Sequence, residues 1–249
     1  MYRSLFIFLP IVGLLAVFDG MDLPVAPPKK IEPNKPLVVL PPTEIRPLPP
    51  ELPDDPPPPE EDDGPRLYDE EIDTRTDTVI YVIDISGSMG SGSTNYVGSN
   101  GQPTYGSKIE RAKAELIKSI NSLDDDFKFN IVAYSCNLQR VFQSMNYATF
   151  ANKARAIGWV QNLRAGGGTA SGPAGALGLS EKDNLTLVIL SDGSPGCGAP
   201  SMEAHKQMIL SADTQGAVIH TFGIAANGRF EAFLRSLSDA TGGIYYDIN

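Results

Sequence analysis

An unbroken apolar run, TVIYVIDI at residues 78–85, restricts the folds open to this chain. A strand with one side in water alternates apolar and polar residues, and this run does not alternate. Continuous apolar strands are typical of sheets that are covered on both faces, above all parallel sheets flanked by helices. A second run, LVIL at residues 187–190, is equally apolar. The chain therefore contains strands that belong in the middle of a covered sheet.

Strand and helix patterns alternate through the rest of this region. The segment KIERAKAELIKSI, residues 108–120, places its apolar residues on one face at helical spacing. Further strands are predicted at residues 127–135, 139–142, 217–225 and 244–248, and further helices near residues 150–160, 201–215 and 230–241. This alternation predicts an α/β fold with a doubly wound, mostly parallel, Rossmann-like central sheet and helices on both faces. In such a sheet, sites form beyond the carboxyl ends of the strands, near the point where the strand order reverses.

Prolines and acidic residues are concentrated before this region. Of the 21 prolines, 16 lie between Pro24 and Pro65, and residues 51–77 carry 12 acidic and 2 basic side chains. The net charge of that short segment equals the formal net charge of the whole chain, −10, so the remainder of the chain is nearly neutral. Proline cannot occupy helix or sheet interiors, which predicts a disordered or polyproline II tether over residues 21–77. The folded domain, predicted at residues 78–249, offers no basic face for nucleic acid.

The first 20 residues predict a signal peptide or a membrane anchor. Their mostly apolar run from Leu5 to Phe18 has 14 residues, which is short for a membrane span and typical of a signal-peptide core. Cleavage and retention both stay open. Either outcome predicts an exported protein in the periplasm, at the cell surface or outside the cell, which touches a membrane only through this segment if it is retained.

Side chains with oxygen atoms follow two of the strands, and one more lies in a glycine-rich loop. Asp84, Ser86 and Ser88 end the first strand, Asp192 follows the LVIL strand, and Thr169 lies in the loop AGGGTASG. Hydroxyl and carboxylate oxygens are the ligands that hard divalent cations prefer, which favours Mg²⁺ with Mn²⁺ or Ca²⁺ as alternatives. The competing interpretation is a strand end whose polar groups satisfy one another without a metal.

These three motifs resemble the von Willebrand factor type A domain with its metal-ion-dependent adhesion site. The family's D-x-S-x-S motif matches Asp84, Ser86 and Ser88 in DISGSM, its threonine matches Thr169, and its later aspartate matches Asp192. The resemblance implies that the hydroxyl groups contact the metal directly, in some cases only in one state of the site, while the carboxylates act largely through water. It covers the whole predicted folded domain.

The resemblance implies a protein-binding module and no enzyme. Its metal would bind an Asp or Glu carboxylate on a protein partner. A structural component of an envelope assembly with a vestigial site is the alternative, and a metal-dependent hydrolase ranks below both. A serine nucleophile needs a base, but His220 is predicted in the core or at an edge of the sheet, and His205 is predicted on an exposed helix face.

Two features beyond the metal motifs leave alternatives open. Residues 89–107 form a longer connection than the short one expected in the family. This segment is predicted either to contact a ligand through Asn95, Tyr96 and Tyr105 or to be a mobile loop. Cys136 and Cys197 follow strands whose ends face the metal side in this fold, which favours a disulfide over two free thiols. Small residues and a proline after Thr169 predict that the next helix is short.

Overall fold

The computed structural model describes residues 64–193 and 195–249. The chain divides into two units, residues 1–56 and 57–249, and every described residue belongs to the second unit. The predicted signal peptide or anchor and most of the predicted tether lie outside the described residues. Among the described residues, no helix has the length and apolarity needed to cross a membrane.

Eleven strands and five α-helices make up the described part of the chain. The strands are β1 (Arg66–Leu67), β2 (Glu70–Glu71), β3 (Thr78–Asp84), β4 (Thr94–Val97), β5 (Pro103–Gly106), β6 (Lys128–Tyr134), β7 (Leu138–Arg140), β8 (Asn146–Tyr147), β9 (Thr186–Ser191), β10 (Val218–Ile224) and β11 (Tyr245–Ile248). The helices are α1 (Lys108–Ser122), α2 (Phe150–Gln161), α3 (Ser171–Gly178), α4 (Met202–Ala212) and α5 (Arg229–Thr241).

The central sheet confirms the predicted α/β fold. Its strands lie in the order β11-β10-β9-β3-β6-β7, and β8 also pairs with β6. Strands β3, β6, β9, β10 and β11 run parallel, while β7 and β8 run antiparallel to β6. The chain passes from β3 to one side of the sheet and later returns to its other side at β9. The strand order therefore reverses next to β3, which places a site at the carboxyl end of β3.

The strand β3 is buried on both faces, as its continuous apolar sequence predicts. Val79, Tyr81 and Ile83 pack into one apolar layer, which includes residues of α1 and α2. Ile80 and Val82 pack into the opposite layer, which includes residues of α3, α4 and α5. Because every residue of this strand is buried, the backbone at its carboxyl end has little freedom to move.

Residues 64–77 are part of the folded unit, so the predicted tether over residues 21–77 is wrong at its C-terminal end. Strands β1 and β2 form a short antiparallel hairpin, and the side chains of Leu67 and Ile72 are 1% exposed. Tyr68 donates its backbone N–H to the Glu115 carboxylate at 3.1 Å and stacks on Phe222. Because charged residues are abundant in this stretch, its sequence did not indicate that Leu67 and Ile72 are buried against the domain.

The segment between β3 and α1 contains an antiparallel hairpin formed by β4 and β5, referred to below as the α1 hairpin. The helix after Thr169 is short, as predicted, and α3 has 8 residues. The short strand predicted at residues 139–142 is present as β7, shifted by one residue towards the N-terminus at its start.

Candidate metal centre at the end of the central strand

Asp84 connects the end of β3 to the end of β9. Its side chain is fully buried, and its Oδ1 accepts a hydrogen bond from the Ser86 backbone N–H at 2.7 Å. Its Oδ2 accepts a hydrogen bond from the Ser191 hydroxyl at 2.6 Å, and that hydroxyl accepts one from the Gly193 N–H at 2.9 Å. One carboxylate therefore links the β3 loop, which carries the two serines, to the β9 loop, which carries Asp192.

Ser86 and Ser88 present their hydroxyl groups side by side. Their Oγ atoms are 3.0 Å apart, within a 3₁₀ turn whose Met89 side chain is fully buried and anchors the loop. Ser86 is buried and Ser88 is exposed. The pair therefore leads from the interior of the site to solvent, which is the direction from which a ligand can approach.

The glycine-rich loop that carries Thr169 packs directly on the β3 loop. Gly87 donates its N–H to the Gly167 carbonyl at 2.9 Å, and Gly166 donates to the Ile85 carbonyl at 2.8 Å. A Cβ atom on Gly87 would lie 3.3 Å from that Gly167 oxygen, and Gly167 has a φ of +79°. The close approach of the two backbones explains the run of glycines before Thr169.

The two cysteines form a disulfide beneath the same loop. Cys136 follows β6, Cys197 follows β9, and their Cα atoms are 5.7 Å apart. A Cβ atom on Gly168 would lie 2.9 Å from the Cys136 sulfur, so the loop rests on the disulfide. The Thr169 carbonyl accepts hydrogen bonds from the Gly196 and Cys197 N–H groups at 2.8 and 3.1 Å. Thr169 is thereby fixed next to the β9 loop.

Asp192 is paired with Lys108, a residue that the sequence patterns did not single out. The Lys108 Nζ donates to the Asp192 Oδ2 at 2.9 Å. The other carboxylate oxygen, Oδ1, is buried and has no hydrogen-bond partner among the described residues. A lysine at the first position of α1, immediately after a Ser N-cap, was the available signal, because that helix begins at the same end of the sheet.

The two carboxylates of the site, Asp84 and Asp192, are accompanied by one lysine, so negative charge is in excess. The pKa of Asp84 is raised from 3.8 to about 6, chiefly by burial and to a lesser extent by the negative charge of Asp192, against the opposing effect of hydrogen bonds from Ser191 and Ser86. A buried carboxylate beside a second carboxylate favours any cation that can approach both. The unpartnered Asp192 oxygen and the paired serine hydroxyls are oxygen donors, so these residues fit a hard divalent cation.

Hydroxyl groups would provide a large part of any such metal shell. Within residues 64–193 and 195–249, no three His, Cys, Asp or Glu side chains cluster in a way that could hold a metal. The structure brings Asp84, Ser86 and Ser88 together with the loops of Thr169 and Asp192, as the three motifs predict.

The α1 hairpin packs against α1. It leaves the site at Ser91, whose carbonyl accepts a hydrogen bond from the Lys108 backbone N–H at 3.3 Å, and then follows α1 away from the site. Tyr96 lines grooves with α1 residues as far along as Ile117 and Lys118. Asn95 and Tyr105 are cross-strand neighbours in the same hairpin, and Tyr96 alternates to its other face. The three residues therefore do not share one face, and their contact with a ligand stays a prediction.

His205 is buried, so the predicted exposed position on α4 is wrong. Its side chain is 1% exposed, and its Nδ1 accepts a hydrogen bond from the Gly172 N–H at 2.8 Å. Gly172 lies in the first turn of α3, where backbone N–H groups have no partner within the helix. His205 therefore caps α3 from a neighbouring helix. Because Ile209 is buried one turn later, the helical spacing of these two residues was the available signal.

His220 lies in the core, as predicted. Its ring nitrogens contact backbone atoms, with Nε2 at 3.1 Å from the Asp73 carbonyl and Nδ1 at 3.3 Å from the Ile244 N–H. Burial lowers the pKa of both histidines. Neither ring is hydrogen-bonded to Ser86 or Ser88.

The geometry at the end of β3 agrees with a comparison against known families. The sequence model of the von Willebrand factor type A domain matches residues 78–248. The chain belongs to the von Willebrand factor type A domain family. The match covers the central sheet and all five helices, from β3 onwards.

Known proteins share this domain within much longer chains. Inter-alpha-trypsin inhibitor heavy chain 4 of Mus musculus is 28% identical over 141 residues, which are 52% of this chain and 13% of that protein. A von Willebrand factor type A structure from Catenulispora acidiphila has a TM-score of 0.52 at 23% identity and covers 69% of this chain and 38% of its own. A pilus adhesin of Lactobacillus rhamnosus GG has a TM-score of 0.54 at 14% identity, covering 69% of this chain and 28% of its own. These two structures share the fold of this chain.

Proposed function

We propose that this chain is an exported protein-binding module whose affinity for its partner depends on a divalent cation. The observation that carries the proposal is the arrangement at the end of β3, where Asp84 binds both the loop of the paired serine hydroxyls and the strand end before Asp192. The partner group that suits such a centre is the carboxylate of an exposed Asp or Glu side chain. The preferred ion is Mg²⁺, with Mn²⁺ or Ca²⁺ as alternatives.

Each residue has a distinct part in this proposal. Ser86, Ser88 and Thr169 supply neutral hydroxyl oxygens, and Asp84 and Asp192 supply negative charge, largely through water. Bound there, a Mg²⁺-type ion offers an open coordination position to which an outside carboxylate can bind. Because neutral oxygens form much of the shell, the protein leaves part of the ion's charge unbalanced for the partner carboxylate. The exposure of Ser88 gives that carboxylate a route to the site.

Two observations support an exported location. The disulfide between Cys136 and Cys197 is of a kind that persists in oxidising compartments and is rare in the cytosol. The apolar N-terminal segment that predicts a signal peptide or anchor points to the same compartments. A tether between that segment and the domain would hold the binding site away from a membrane if the segment is retained.

Binding is favoured over catalysis by the positions of the histidines. A serine nucleophile requires a base within hydrogen-bond reach, and both rings of this chain contact backbone groups elsewhere. We therefore propose no enzymatic activity. The alternative is a structural envelope component with a vestigial site, which is favoured by the Lys108–Asp192 ion pair because it partly satisfies the site without a metal.

Calorimetric titration of Mg²⁺, Mn²⁺ and Ca²⁺ into the purified protein tests the proposal. Wild type should bind one ion saturably, and Asp84→Asn should abolish binding, because it removes the buried negative charge while keeping the shape of the side chain. Asp126→Asn is the matched control, since Asp126 is an exposed aspartate in the turn before β6, away from the β3 carboxyl end. Equal binding by wild type and Asp84→Asn would contradict the proposed site, as would the absence of binding both by wild type and by a variant that lacks the Lys108 charge.

A further inference from the structure

We propose that the Lys108 ammonium is a built-in counter-cation of the candidate metal centre and that it lowers the affinity of the site for a divalent ion. The inference rests on the proposed function, because it concerns the regulation of the same centre. It assigns a role to a residue outside the three motifs, and it follows from the contact between Lys108 and Asp192.

Three contacts hold Lys108 in place. It is the first residue of α1, and its backbone N–H donates to the Ser91 carbonyl at 3.3 Å. Its aliphatic stem passes close to Gly92, where an added Cβ atom would lie 3.6–3.8 Å from three of its carbons. Its Nζ donates to the Asp192 Oδ2 at 2.9 Å. The helix start and the base of the α1 hairpin therefore direct this ammonium to Asp192.

The Lys108–Asp192 ion pair is better shielded than the other ion pairs of the described chain. Its two side chains are 15% and 6% exposed, whereas each of the other pairs has at least one side chain that is 30% exposed or more. Shielding from water strengthens the attraction within the pair and also the repulsion between Lys108 and any cation that enters the site. This contact is therefore of a different kind from a surface salt bridge.

The charge distribution around Asp192 gives the pair its consequence. One oxygen is bound to Lys108, and the other is buried without a partner among the described residues. A divalent ion that approaches the free oxygen either displaces the ammonium or stays close to it. Displacement breaks a shielded ion pair, and coexistence places like charges near each other. Both lower the affinity for metal, and the ion pair itself stabilises the metal-free protein relative to one that lacks Lys108.

Substitution of Lys108 separates these two effects. Lys108→Met keeps an unbranched stem of similar length and removes the charge, and Lys108→Gln also keeps a donor for Asp192. Both should bind Mg²⁺ and Mn²⁺ about tenfold or more tightly than wild type in calorimetric titration. Both should also have a lower melting temperature in chelator, because Asp192 then loses the cation with which it is paired. A purely structural lysine would lower stability without tightening metal binding.

Two variants serve as controls, one that preserves the charge at position 108 and one that removes a lysine elsewhere on α1. Lys108→Arg keeps the positive charge and should bind metal within about threefold of wild type. Lys118→Met removes a lysine that pairs with Glu115 further along the same helix, and it should leave metal affinity unchanged.

The possible outcomes separate the two proposals. If wild type binds metal and neither Lys108→Met nor Lys108→Gln binds more tightly, the role of Lys108 is refuted while the metal site stands. Binding by those variants alone would support the role of Lys108 and show that the wild-type site is closed by it. If no variant binds metal, both proposals fail. Circular dichroism of each variant in chelator identifies any that do not fold.

Discussion

Gly193 shows how a single residue determines the position of Asp192. It has a φ of +82°, a conformation that residues with a Cβ rarely adopt, and an added Cβ would lie 2.8 Å from the Phe230 carbonyl oxygen. Its N–H also donates to the Ser191 hydroxyl that holds Asp84. The glycine is therefore required by its backbone conformation and by its close contact with the start of α5. Both requirements fix the direction in which the preceding carboxylate points.

Gly193→Ala is expected to lower the free energy of unfolding by about 1–3 kcal/mol, because the alanine would be strained and would collide with α5. The same change should weaken metal binding by moving Asp192. Urea unfolding and calorimetric titration measure the two effects. Gly196→Ala is the matched control in the same loop, since nothing lies within 4 Å of an added Cβ there and φ is not in the left-handed region. Equal effects of the two substitutions would contradict this account.

The helix α3 depends on a cap that comes from another element. No side chain of its own segment caps its N-terminus, and the ring of His205 on α4 accepts the Gly172 N–H instead. Because Nδ1 accepts this bond, the neutral ring carries its proton on Nε2. The contact is tight, since a Cβ on Gly172 would lie 2.9 Å from Nδ1. Through α3, His205 supports the loop that presents Thr169.

The cap gives the domain a pH-dependent stability. Burial lowers the pKa of His205 below its ordinary 6.5 in the folded protein. As the pH falls below 6.5, the histidine is protonated in the unfolded chain before it is protonated in the folded chain. The free energy of unfolding therefore falls as the pH falls. His205→Asn keeps an acceptor near Nδ1 and does not titrate. The variant should be less stable than wild type, and the difference in the free energy of unfolding should become smaller as the pH is lowered from 7.5 to 5.5. Urea unfolding measures this difference.

Comparison of the two proteins at each pH isolates this effect. His220 is present in both, so its own titration cancels in the difference. A deficit that stays constant across this pH range would show that His205 does not couple protonation to stability.

At the scale of the whole molecule, the sequence patterns predicted what depends on local periodicity and on motifs. The apolar runs of β3 and β9 and the helical period of α1 are local, so the parallel sheet and the motif-bearing strand ends could be predicted. The local signals at Lys108 and His205 did not reveal the roles of these residues, and the attachment of residues 64–77 was missed as well, because the partners lie 33 or more residues away in the chain. Which distant element a polar side chain meets is decided by helix orientation, which periodicity does not specify.

Residues 64–77 contact two different parts of the folded unit. Leu67 and Ile72 are buried in the same apolar layer as α1, while the Asp73 carbonyl contacts the His220 ring on β10. The folded unit therefore includes these residues, which precede the first strand of the family match.

Truncation tests where the folded unit begins. A protein that starts at Thr78 should unfold about 5–10 °C below one that starts at Gly64, because it loses two fully buried aliphatic side chains and the Tyr68 contacts, partly offset by the entropy of ordering the segment. Differential scanning calorimetry in chelator measures the difference without a contribution from metal. Leu67→Asp within the longer protein should reproduce most of the loss, whereas Glu70→Gln, at an exposed position of β2, should not. Equal melting temperatures for the two truncated proteins would mean that residues 64–77 lie against the domain without stabilising it.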